Sequence, residues 1–341
     1  MSKCDLFIDL HDTDVELGHV VRGVVRVVVS DEVTCDGLQI VPRWWTHGRC
    51  RKSTGELDEV QLFEGMWAPG TYEYAFSLPV DDAPLTYRGH NLNVDWEVKA
   101  TADIPWAFDP KATAEFDVVR CAHERSHAFV DERTASNTIE LGAAGSTLAV
   151  GCMAVFLMPF FVVGIGSIVG GVIALAGGSG IEGAFPIGFG LLFTAVPTVI
   201  AGVFVRRWMA SKKVGDVDVV FSTDVVHPGA RVEGKVCIAP PKDVSINAIQ
   251  ARLCGREVTV TGSGTNKTTH RHTLHEDAAD LSHSGVLHGG MTNEFRFSFD
   301  VPESAPPTFH SGSSEVRWEV QVDVDIPSWP DFDAAHRFNV G

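Results

Sequence analysis

The chain has 341 residues, with 27 Lys/Arg, 44 Asp/Glu and 14 His. The length suits two domains of ordinary size, and 45% hydrophobic with 21% charged residues excludes a disordered or fibrous chain. A formal net charge of -17 argues against a nucleic-acid binder, because a phosphate backbone would repel most of the surface.

The charge is unevenly placed: residues 1–140 carry a net -12, residues 141–211 a net +1 and residues 212–341 a net -6. The chain opens Met1-Ser2-Lys3-Cys4-Asp5-Leu6 without a long apolar run, so no signal peptide is expected. In the first acidic flank, residues 94–100 alternate: Val94, Trp96, Val98 and Ala100 point one way, Asp95, Glu97 and Lys99 the other. That period of two marks a strand with one buried and one wet face. Short strands between Gly/Pro turns predict an antiparallel β-sandwich over residues 1–122. Residues 123–146, with Arg125, Asp131, Glu132, Arg133 and Ser136, read as a polar connector.

The middle of the chain is nearly chargeless. No ionised side chain stands between Glu140 and Glu182, or between Glu182 and Arg206. A helix crossing the hydrocarbon core needs about 20 apolar residues. Two transmembrane helices are therefore expected, over 147–175 and 184–205, joined by a Gly-rich turn at 176–183. The rival is a buried soluble hairpin, but a soluble core helix rarely stays apolar on every face. Arg206, Arg207, Lys212 and Lys213 follow the second span, Arg125 and Arg133 precede the first, and the turn has no Lys or Arg. The positive-inside rule then puts both flanks in the cytosol. Seven cysteines, an odd number without a C-x-x-C pair, fit a reducing compartment. Pro159 and Pro197 fall within the spans, and Gly164, Gly166, Gly170 and Gly171 give the first a small-residue face. That face packs the two spans together or serves homo-oligomerisation. Neither span holds an ionisable residue, so a transport pathway has no visible relay.

The last segment, 206–341, begins with a basic juxtamembrane stretch and then repeats the first flank. Residues 84–119 align without a gap on 306–341, with 13 of 36 positions identical. Val94-Asp95-Trp96-Glu97-Val98 meets Val316-Arg317-Trp318-Glu319-Val320, and Asp103-Ile104-Pro105 meets Asp325-Ile326-Pro327. At a second offset Gly18, Gly23, Val25 and Val27 meet Gly229, Gly234, Val236 and Ile238. Trp96 and Trp318 are expected in the two cores, and the outward Glu97 and Glu319 in solvent.

The order of short stretches in the first lobe carries a resemblance. It reads Leu62-Phe63-Glu64-Gly65, then Gly70-Thr71-Tyr72-Glu73-Tyr74-Ala75-Phe76-Ser77-Leu78-Pro79 and Pro84-Leu85-Thr86-Tyr87-Arg88-Gly89. It continues through Val94-Asp95-Trp96-Glu97-Val98-Lys99-Ala100 and closes on Asp103-Ile104-Pro105-Trp106-Ala107-Phe108-Asp109. This order resembles the N-terminal sandwich of the arrestin-like clan, which includes α-arrestins, the retromer small subunit and bacterial sporulation-control proteins. The resemblance implies an all-β fold: two arrestin-like antiparallel β-sandwiches, here flanking a two-helix transmembrane hairpin. It also implies a non-catalytic scaffold or adaptor, with a membrane-associated protein as partner. Members of the clan usually join their lobes by a short linker, and a membrane hairpin in that place departs from the pattern.

The strongest candidate for site chemistry is the histidine run His270, His272, His275, His283 and His288. His270 and His272 would share a strand face, and with His275 they form the candidate metal ligands. The competing reading is a solvated hairpin. Glu97 and Glu319 occur once per lobe, so they make no acid/base pair. No G-x-S-x-G elbow and no Walker A loop occur, and no cofactor is expected. The expectation is a non-enzymatic, membrane-anchored scaffold with both lobes cytosolic, bound to the bilayer by its hairpin. The alternatives are a metal-responsive membrane sensor and an accessory subunit of a transporter. The two lobes, held on one membrane face, are expected to dock on each other, with partners on their concave side or on a sheet edge.

Overall fold

A computed structural model describes residues 4–121, 128–130, 147–178, 181–223 and 225–341. Ser179 and Gly180 of the predicted turn, and most of the predicted connector, lie outside the described residues. Lobe 1 is built from ten strands: β1 (Cys4–Leu10), β2 (Asp14–Glu16), β3 (Val20–Val29), β4 (Val33–Gly48), β5 (Thr54–Glu56), β6 (Val60–Trp67), β7 (Gly70–Pro79), β8 (Tyr87–Arg88), β9 (Leu92–Asp103) and β10 (Lys111–Val119). They form a three-stranded sheet, β1-β3-β7, and a seven-stranded one ordered β2-β10-β9-β4-β5, with β6 on β4 and β8 on β9. β3 shows why: Val21, Val25, Val27 and Val29 are buried while Arg22 and Arg26 are exposed. That apolar face packs against the matching face of β9, where Val94, Trp96, Val98 and Ala100 are fully buried.

Lobe 2 repeats the plan with β12 (Asp216–Phe221), β13 (Val225–Val226), β14 (Arg231–Ala239), β15 (Val244–Thr261), β16 (Thr268–Leu287), β17 (Asn293–Asp300), β18 (Phe309–Ser311), β19 (Ser314–Asp325) and β20 (Phe332–Val340). Its small sheet is β12-β14-β17, and its large sheet runs β18-β19-β15-β16 with β20 also on β19. A short strand between the lobes, β11 (Phe129–Val130), lies parallel to β18 at its edge.

The repeat extends to individual bonds. The Trp96 indole donates to the Pro84 carbonyl at 3.0 Å, and the Trp318 indole to the Pro306 carbonyl at 3.0 Å. The Val118 N–H donates to Thr86 Oγ1 at 2.8 Å, and the Val340 N–H to Thr308 Oγ1 at 2.9 Å. Gly23 and Gly234 also correspond. A Cβ on Gly23 would lie 2.5 Å from the Asp9 carbonyl oxygen and 2.7 Å from the Phe76 ring. On Gly234 it would lie 2.6 Å from both the Val220 oxygen and the Phe297 ring. The chain needs glycine there because the two flanking strands of the same small sheet bring a carbonyl and an aromatic ring onto a bare backbone.

One expectation fails. Glu97 and Glu319 are not solvated: they are 8% and 3% exposed. Arg43, opposite on β4, forms an ion pair with Glu97. In lobe 2 Arg256 pairs with Glu319 at 3.2 Å and Arg317 approaches it at 3.5 Å. A buried carboxylate requires such partners, and strands distant in sequence supply them.

The central segment forms α1 (Thr147–Ala176) and α2 (Ile181–Val214). Both are long and apolar enough to cross a membrane. Most of their side chains are exposed, among them Phe156, Val162, Ile173, Phe185 and Val199. They touch through Gly164, where a Cβ would lie 2.6 Å from Thr194 Oγ1 and 3.0 Å from the Gly190 oxygen. Gly166 and Gly170, the G-x-x-x-G pair, meet nothing within 4 Å. α2 runs past the apolar tract through Val214, and its last residues Ala210 and Val214 join the lobe 2 core. Lobe 2 is thus packed onto the end of a helix rather than hung from a loop.

Candidate functional site

A network of hydrogen bonds joins the two lobes along a seam. At its centre is Glu257 on β15, with no solvent exposure. Its carboxylate accepts from the backbone N–H groups of Asn91 at 2.6 Å and His90 at 3.0 Å, and from that of Leu92. These donors come from the turn between β8 and β9 of lobe 1. The Tyr87 hydroxyl stands 3.5 Å from the same carboxylate. Burial, then the Glu257 charge, pushes the Tyr87 phenol well above its ordinary range, so it stays protonated as a donor. A buried carboxylate that lacked donors would be strongly unfavourable. Here three consecutive N–H groups converge on it, and charge-assisted bonds of this kind are about twice as strong as neutral ones.

Two residues further along β15, buried Thr259 donates to the Arg49 carbonyl of lobe 1 at 2.7 Å. Glu257 and Thr259 share a face because a strand alternates. Around this polar line sits an apolar one. Trp44 of β4 meets Phe309 of β18 edge-on, ring centres 6.2 Å apart, and Phe129 of β11 at 5.6 Å. Phe129 stacks on Phe309 at 5.8 Å. Phe309 and Val316 of lobe 2 are buried in the same apolar cluster as the lobe 1 core, and Leu274 of β16 packs against it. Gly312, at φ 60°, turns the chain beside Ser53 of lobe 1. β11 is therefore a wedge: the stretch predicted to be a polar connector places an aromatic ring between the lobes.

Next to this wedge Glu315 is ringed by His310 at 3.5 Å, Arg317 at 3.1 Å and Arg337 at 3.4 Å. Burial pushes its carboxyl up, but the His310 bond and the Arg337 and Arg317 charges outweigh this and hold it below its ordinary value.

The predicted metal ligands take different neighbours along β16. His270 bonds Thr261 Oγ1 at 3.0 Å, His272 stacks on His90 of lobe 1 at 4.4 Å, and His275 lies 6.3 Å from the Trp318 ring. His272 thus contributes to the seam. A group of metal-ligand type within 4.8 Å among the described residues is instead Glu16, His19 and Cys121, on lobe 1. Trp106 and Phe108 are fully exposed on the turn between β9 and β10, with Trp106 at φ 62°. In lobe 2 the same turn carries Ser328 at φ 65° and Trp329, whose ring is covered by Lys213 at 4.4 Å.

Sequence reasoning missed Glu257. In the run Glu257-Val258-Thr259-Val260 it looks like an outward carboxylate on an ordinary strand. A lobe-facing surface and a water-facing surface have the same alternation, so no local signal distinguishes them.

The family model described as arrestin (or S-antigen), N-terminal domain, matches residues 216–340. Among solved structures the chain is similar to Spo0M, a sporulation control protein from Bacillus subtilis. The identity is 24%, over 37% of this chain and 48% of that one, with a TM-score of 0.30. This chain thus spans about half the length of that relative. A search of curated proteins finds no match. The family match falls in lobe 2, whereas the ordered stretches that resemble the clan lie in lobe 1; the internal repeat joins the two. The protein is an all-β chain of arrestin-like fold with a two-helix hairpin at its centre.

Proposed function

We propose that this protein is a membrane-anchored arrestin-like scaffold that holds a protein partner non-covalently at the cytosolic membrane face. The observation that carries this reading is the seam. A buried carboxylate satisfied across the two lobes makes them one platform, and α2 ends inside the core of that platform. Such an assembly offers a fixed surface at a fixed height above the bilayer, which is what a scaffold needs. The exposed apolar surfaces of α1 and α2 support membrane insertion, since a soluble chain seldom leaves so much apolar area uncovered. Trp106 and Phe108 support a protein partner, because exposed aromatic pairs anchor interfaces.

A photocrosslinking side chain placed at Phe108 in the native membrane tests the reading. A discrete protein adduct, lost when Trp106 is changed to Ser, is expected. Adducts to lipid alone at Phe108, with an unaltered protein complex after Trp106→Ser, would refute the partner surface.

A further inference from the structure

One cavity has no part in the seam. It opens where α2 enters lobe 2, has a volume of about 700 Å³, and is walled by Trp208, Met209, Lys212, Lys213, Lys242 and Asp243 among others. Three lysines and one aspartate line it. Lys213 is engaged with the Trp329 ring. Asp243 accepts from the Gly289 N–H at 2.8 Å and so serves the adjoining turn. Lys212 and Lys242 are both exposed. The cavity therefore carries an excess of cationic side chains over anionic ones, with an aromatic and thioether wall from Trp208 and Met209. That composition suits an anionic group attached to an apolar one.

The position along α2 says where that group comes from. Val205 ends the apolar tract, and a helix rises about 1.5 Å per residue, so Trp208 sits about 5 Å and Lys212 about 10 Å beyond it. The headgroup layer on each side of a bilayer is about 5–8 Å thick. Trp, with an apolar body and a polar N–H, suits that depth. We propose that this cavity binds the phosphate headgroup of one anionic phospholipid, with Lys212 and Lys242 on the phosphate. The apolar wall of Met209 and Pro327 faces the glycerol end. The lipid fixes lobe 2 against the leaflet from which α2 emerges. This inference rests on the membrane reading given above.

The test uses the full chain in nanodiscs of phosphatidylcholine with added phosphatidylglycerol, with retained lipids counted by native mass spectrometry. One phosphatidylglycerol per chain is expected to persist. A juxtamembrane lysine gives about fivefold in anionic-lipid affinity, so K212Q/K242Q should weaken retention about 25-fold. K52Q/K111Q, the same charge change on lobe 1, should leave it unchanged. Equal retention in the two double variants would overturn the proposal. So would retention of phosphatidylcholine as readily as phosphatidylglycerol, or displacement of the lipid by millimolar inorganic phosphate, which would assign a soluble ligand. Alkaline extraction of the same membranes is measured first. Protein that resists extraction yet shows no lysine dependence refutes the cavity assignment alone; protein that is extracted refutes the membrane reading beneath it.

Discussion

Replacing Glu257 by alanine should uncouple the lobes without unfolding either one. The side chain sits at the seam with no exposure, and the substitution strands the N–H groups of His90, Asn91 and Leu92. An unsatisfied buried donor costs about 1–3 kcal/mol, so three of them give at least about 3 kcal/mol. That shifts the docked-to-undocked ratio by about a hundredfold. Thr259→Val removes one neutral bond, to the Arg49 carbonyl, and should cost only about 1 kcal/mol. Glu257→Gln keeps one acceptor oxygen but turns an amide donor toward other donors, so it should fall between the two. The assay is intrachain crosslinking between lobes, read by mass spectrometry on the full chain at low density, with limited proteolysis of each lobe alongside. The expected result is loss of interlobe crosslinks in Glu257→Ala with both lobes still resistant to protease. Wild-type crosslink yields in Glu257→Ala would refute the reasoning, because tethering alone would then hold the lobes together.

Trp96→Ala and Trp318→Ala should each destabilise their own lobe by about 3–5 kcal/mol, seen as selective proteolysis of the mutated half. Gly23→Ala and Gly234→Ala should each cost about 1–3 kcal/mol in thermal unfolding, because the added methyl meets a carbonyl and an aromatic ring within 2.7 Å. Lobe 2 should lose stability on acidification. Burial lowers the His336 pKa, against an opposing pull from Asp218, so its contribution is full above about pH 6.5 and is lost as pH falls below that. Glu315, held below its ordinary value, adds a second loss as pH falls below about 4.3. His336→Gln should remove the first step in a melting-temperature profile and leave the second. A cysteine at Ser179 in a cysteine-free background should react with an impermeant thiol reagent in intact cells, while cysteines placed in either lobe should not; the reverse pattern would overturn the cytosolic placement of the lobes.

The strands were legible because alternation in β9 and β19 is a local property: one apolar side chain in every two residues marks a buried face wherever the partner sheet lies. The repeat was legible for the same reason, since identical positions such as Trp96 and Trp318 fill the same place in two cores. The apolar helices were legible from the absence of charge between Glu140 and Arg206 apart from Glu182. What happens on the other face of each strand was not. Glu97, Glu319 and Glu257 all look like solvated carboxylates in their own strands. Only the approach of Arg43, of Arg256 and of the turn at residues 90–92 buries them. The sequence separations of those partners, 54, 63 and 166 residues, exceed anything a periodic pattern can report. The connector shows the same division: its charge predicted a polar linker, and tertiary packing alone put Phe129 between Trp44 and Phe309. Period and hydropathy decide which residues leave water. Which lobe receives a carboxylate is decided by where donors converge, and that is set only when the two sandwiches meet.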